Sequence, residues 1–126
     1  MLKLLIIGLG GFLGALARYG LAGLVHRHAS GAFPTGTLVV NLSGCVVIGG
    51  LMFLVEERQL FAPQTRLFML IGFLGSFTTL STVGYETFEL LRAGDFAMAA
   101  VNAGANLLLG VGAVALGWMV VKAIGL

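Results

Sequence analysis

Four apolar runs, at about residues 2–25, 35–55, 65–91 and 96–124, take up almost the whole chain of 126 residues. A helix that crosses a bilayer needs about 20 apolar residues, so each run can span. Hydrocarbon cannot hydrogen-bond a peptide group, and a spanning segment must satisfy its own backbone, as a helix does. The chain therefore reads as an all-α membrane protein with four transmembrane helices. Residues 1–126 form one transmembrane domain in a cell membrane. Charged residues are 10% of the chain, against about 25% in soluble domains. The apolar start, with its single Lys3, reads as a retained span and not as a cleaved signal.

The third run is unlike the others. Its middle reads GFLGSFTTLSTVG over residues 72–84, and the run is centred on Thr78. Residues that loosen a helix thus fall at the bilayer midplane. Backbone that leaves the helix at that depth must be buried in protein or line a wet cavity. A Gly-interrupted span points to an ion or substrate site. A break over Gly75, Ser76, Phe77, Thr78 and Thr79 would free carbonyl oxygens that can hold a small cation. The alternative is that Gly and Thr only let helices approach and back-bond to their own turn.

Other polar residues within the runs carry two readings each. Asn41 offers two amide donors to an anion, or it bonds helix to helix. Ser81 and Thr82 continue the polar stripe, and their hydroxyls can serve an anion or close on a backbone carbonyl. Arg18 and Glu86 are costly in lipid and should face protein or water, paired with each other or placed at a pore mouth. Asn102 and Asn106 are four apart on one helical face that Gly110 continues, and they could line a groove or bond a neighbouring helix. Cys45 is the only cysteine, and His26 and His28 lack a third ligand nearby, so no metal cluster is indicated. No catalytic triad, carboxylate pair, P-loop or dinucleotide fingerprint is present, and the chain is not expected to be an enzyme. A net charge of +2 gives no basis for nucleic-acid binding.

Four spans put both termini on one side, with Lys3, Arg58, Arg66 and Lys122. Arg27 and Arg92 lie on the other side, with Arg18 if it reaches the interface. That charge bias is weak, and the chain could insert either way. Four thin helices do not readily enclose a polar path, and a C2 dimer is the common remedy. Dual topology would make that dimer antiparallel. Twenty Gly, mostly inside the runs, suit close helix packing.

The segments GGFLGALARY (10–19), GTLVVNLSG (36–44), GFLGSFTTLSTVGYE (72–86) and NAGAN (102–106) together resemble the small dual-topology fluoride channels, the CrcB or Fluc family, over essentially the whole length. The resemblance implies an antiparallel homodimer with two pores and passive fluoride efflux across a bacterial inner membrane. It implies a structural Na+ on the twofold axis, held by the Gly75 and Thr78 carbonyls of both subunits. It also implies that Asn41 lines the pore and that Arg18 and Glu86 occupy family positions. Two pore positions depart from the family pattern: Leu80 and Val83 stand where that pattern has Phe. A phenyl edge is positive and can face an anion, which Leu and Val cannot match. The polar ladder of the fourth span runs Asn106, Gly110, Val114, with only its first rung polar. The chain could conduct fluoride by a cruder route, be half of a heterodimeric channel, or be a pore-altered variant with weak transport. A proton-coupled exporter of the small multidrug type has the same size and topology. It needs a carboxylate in the first span, where this chain has none.

Overall fold

The structure, a computed structural model, describes residues 1–125. It is helical nearly throughout, and four helices are long and apolar enough to cross a membrane. The first two spans are α1 (Leu2–His28) and α2 (Thr35–Glu56). The third, Pro63–Arg92, is broken into α3 (63–77) and α4 (Leu80–Arg92). The fourth is α5 (Phe96–Ile124).

Local signals set the ends. Pro63 opens α3, where its missing N–H costs nothing. Gly94 takes φ +80° in the tight turn after α4, and Asp95 caps α5 by accepting from the Met98 amide at 3.0 Å. Two stretches are wound as π-helix, Leu67–Leu74 within α3 and Ala105–Leu109 within α5. Nothing in the residue pattern marks either of them.

The spans pack backbone to backbone where glycine removes the side chain. α1 lies along the π stretch of α3, and α2 lies along the Gly110–Ile124 half of α5. A methyl at Gly10 would come 2.5 Å from the Phe68 carbonyl, and one at Gly72 would come 2.7 Å from the Ile7 carbonyl. Gly49 sits against Val114, and Gly117 against Val46, closely enough that neither could carry a Cβ without backbone movement. Such small-residue contacts let spanning helices gain dispersion contacts that lipid cannot match. A small core of Val40, Leu74 and Phe77 joins α2 to α3 beside the break. Leu5, Leu9, Leu108 and Val111 are exposed, as lipid-facing residues should be.

The expected break is present and narrower than the sequence suggests. Gly75, Ser76 and Phe77 remain helical. The helix is lost only at Thr78 (φ −84°, ψ 156°) and Thr79 (φ −150°, ψ 118°). Both are β-branched and give up helical geometry more cheaply than straight-chain residues. Glycine near the break is thus not what breaks it.

Candidate functional site

The break is held by one side chain from another span. Asn41 lies on α2, buried beside Val40. Its Oδ1 accepts from the Thr79 main-chain N–H at 2.8 Å, and its Nδ2 donates to the Thr79 carbonyl at 3.1 Å. A main-chain N–H can only donate, so the amide orientation is fixed. The second Nδ2 hydrogen goes to Asn106 Oδ1 at 2.8 Å. An amide side chain therefore does for Thr79 what a neighbouring strand would do, and meets the demand of buried non-helical backbone.

The same bonds decide which carbonyls are released. In a continuous helix the N–H of residue i bonds the carbonyl of residue i−4. Thr79 N–H belongs to the Gly75 carbonyl, and Thr82 N–H to the Thr78 carbonyl. Both donors are diverted, the first to Asn41 Oδ1 and the second to Thr79 Oγ1 at 3.3 Å. Thr79 thereby caps α4. The carbonyls of Gly75 and Thr78 are therefore among those deprived of their helical donors at the break. Hard oxygen donors of this kind suit a small cation such as Na+. The residues present therefore fit a cation held by backbone.

Two recesses meet at Thr79. The first, a groove of about 730 Å³, is mostly apolar and is lined by Asn41, Gly75, Thr78, Leu80, Val83 and Asn106 among others. The second, about 600 Å³, is more polar and has Arg18, His26, Thr37, Thr82 and Glu86 in its wall. Thr79 lines both. Its hydroxyl lies 3.0 Å from that of Thr82 and 3.2 Å from that of Ser81. A short hydroxyl cluster thus marks the step from one recess to the other.

The remaining expected residues are placed unevenly. Arg18 and Glu86 share the second recess but do not pair, and Arg92–Glu89 is the only salt bridge among the described residues. Glu86 instead accepts from the Thr37 hydroxyl, and its Oε2 is buried without a partner. Thr37, one span away, satisfies only one of the two carboxylate oxygens. Leu80 is 83% exposed in the first groove, whereas Val83 is 5% exposed. Gly110 is buried on α5 with Cys45 Sγ next to it, outside the lining of either recess. Thr37 is a site residue that the sequence does not mark, whereas Thr79, expected in the break, gains its role from Asn41. The available signal for Thr37 was Glu86, a carboxylate within a span that needs a donor.

These features define a multi-pass membrane protein built round an interrupted helix, with freed carbonyls and a hydroxyl step at the interruption. The family description "CrcB-like protein, Camphor Resistance (CrcB)" matches residues 5–118, and the chain belongs to that family. It is 46% identical over 117 residues to the "Fluoride-specific ion channel FluC" of Nitratidesulfovibrio vulgaris, covering 93% of this chain and 94% of the relative. It is 47% identical over 109 residues to the protein of that name from Geobacter metallireducens, covering 86% and 88%. A third relative, "Fluoride-specific ion channel FluC 1" of Methanosarcina acetivorans, is 45% identical over 117 residues, covering 93% and 88%.

Proposed function

We propose that this chain forms a fluoride-selective channel for passive fluoride efflux, working as an antiparallel homodimer with a structural Na+ at the dimer centre. Relatives named as fluoride-specific channels, at 45–47% identity, support the substrate. The observation that carries the site is the Asn41 clamp on Thr79, which frees the Gly75 carbonyl beside the Thr78 carbonyl released by the Thr79 cap, with a hydroxyl cluster between two recesses.

Fluoride is small and strongly hydrated, so a narrow path must return hydrogen-bond donors as water is removed. Arg18 draws the anion into the polar recess. Thr82, Thr79 and Ser81 supply hydroxyls along the step. Both Nδ2 hydrogens of Asn41 are already committed, so the anion takes one of them by replacing a neutral oxygen acceptor. An ionised acceptor makes the stronger bond, which favours the exchange. On the far side Leu80 and Val83 offer no donor and no phenyl edge. The Gly75 and Thr78 carbonyls of both copies would hold the Na+, whose charge would stabilise the non-helical backbone at the break. HF that enters from an acidic medium dissociates inside the cell, and the trapped anion leaves through this path.

Fluoride release from liposomes holding this protein alone, read with a fluoride electrode and controlled with chloride, tests the reading. Rapid, fluoride-selective release is expected. No release from well-folded dimers rejects a conducting homodimer. The apolar pair Leu80 and Val83 favours one second reading, a subunit whose partner completes the pore. Co-purification with another small four-span protein would support that reading.

A further inference from the structure

The amide bonds do not stop at Asn106. Asn106 Nδ2 donates to Asn102 Oδ1 at 3.2 Å and to the Asn102 carbonyl at 2.9 Å. Asn102 Nδ2 then donates to Thr87 Oγ1 at 3.0 Å. Every link has one direction. Thr79 N–H forces the Asn41 oxygen toward itself, which turns the Asn41 NH2 toward Asn106. Asn106 must therefore present its oxygen to Asn41 and its NH2 to Asn102. Asn102 must present its oxygen to Asn106 and its NH2 to Thr87. The chain runs from α2 through two residues of α5 to α4, two turns beyond the break it began at. Asn102 is wholly buried, at 0% exposed, and lines neither recess.

We propose that Asn102 and Thr87 are positioning residues for fluoride passage, a proposal that rests on the channel reading above. Thr87 lines the first groove beyond the step, but neither residue touches the step or the freed carbonyls. They hold the Asn106 amide in the one orientation that offers Asn41 an oxygen. Without the Thr87 acceptor, Asn102 can turn its amide over and confront the Asn106 NH2 with its own, and Asn106 then keeps its orientation only through the Asn102 carbonyl or inverts by giving that bond up. An inverted Asn106 presents NH2 to the NH2 of Asn41, which has no acceptor to give. Asn41 then loses its anchor on α5, and the Thr79 clamp loosens. Hydrogen-bonded amides in series pass on orientation in this way because each group has distinct donor and acceptor ends.

Thr87→Val keeps the shape and removes the acceptor, and Thr87→Ser restores it. The test compares both with the unaltered protein, as purified dimers in Na+. It measures fluoride release from liposomes and the side-chain amide resonances of Asn41 by NMR. Thr87→Val is expected to shift or broaden the Asn41 resonances although the two residues share no contact. It should slow release about three- to twenty-fold, the span expected for one interhelical polar contact in a bilayer. Thr87→Ser should recover both. Unchanged Asn41 resonances overturn the proposal, as does a resonance change without loss of release. If Thr87→Val does not yield folded dimers, Thr87→Ala, which also removes the acceptor for Asn102, replaces it under the same criteria. If the unaltered protein releases no fluoride, the channel reading fails, and the Asn41 resonances alone then decide whether the relay operates.

Discussion

Replacing Asn41 by Asp isolates the donors of the clamp, since shape and one acceptor are kept. The bond from Thr79 N–H to Oδ1 at 2.8 Å survives. The donations to the Thr79 carbonyl at 3.1 Å and to Asn106 Oδ1 at 2.8 Å are both lost. Interhelical polar contacts in membranes average about 0.6 kcal/mol and reach about 1.7, so two of them amount to roughly 1–3.5 kcal/mol. A carboxylate facing two oxygens adds repulsion, which Asn106 can relieve only by turning over and giving up its bonds to Asn102. Thermal unfolding of the purified protein in detergent, followed by circular dichroism, should show this loss. Fluoride release should fall at least about tenfold, because 1.4 kcal/mol is already a factor of ten and a fixed negative charge repels the anion. Asn41→Leu, which removes all three bonds, should be less stable than Asn41→Asp. Aspartate at this position with stability within about 0.5 kcal/mol of the parent and unchanged release would refute the clamp.

Gly117→Ala forces a methyl into the Val46 backbone and should cost about 1–3 kcal/mol in thermal stability. Gly8→Ala meets nothing within 4 Å and should be neutral or stabilising by up to about 1 kcal/mol. Exchange of Na+ for a bulky organic cation should shift the dimer toward monomer in size-exclusion chromatography; indifference to the cation would remove Na+ from the freed carbonyls. Leu80→Phe, at an exposed groove position, should fold as the parent does and release fluoride faster. Val83→Phe, at a position only 5% exposed, should lower the unfolding temperature by overpacking.

The four spans were readable because a bilayer imposes a length and an apolar composition that few other folds share. The centre of the break was readable for a related reason: Thr78 is the midpoint of the only run with clustered polar residues. Its extent was not. Gly75 to Phe77 stay helical, and the loss begins at Thr78, because the donor that a helix would need there is claimed by Asn41, which is 38 residues away. A sequence shows that Asn41 needs partners but not which backbone it will meet. The two π stretches leave no mark in side-chain spacing. Charge alone suggests that Arg18 and Glu86 pair or sit at a mouth; the fold sets both in one recess without a pair and gives Glu86 the Thr37 hydroxyl, a contact between spans that charge does not reveal.

The clamp on Thr79 also sets an order of assembly. Its partners come from both sides in the chain, Asn41 from the second span and Asn106 from the fourth. A nascent third span enters the membrane before the fourth has been synthesised. At that moment an open break would leave bare peptide groups in hydrocarbon, several kcal/mol apiece. The segment must therefore cross as an unbroken helix or lean on Asn41 of the second span, which supplies both bonds to the Thr79 backbone. The fourth span adds the anchor that Asn106 gives to Asn41. That anchor is thus the last piece of the clamp to form, and premature termination would leave Asn41 to hold the break alone.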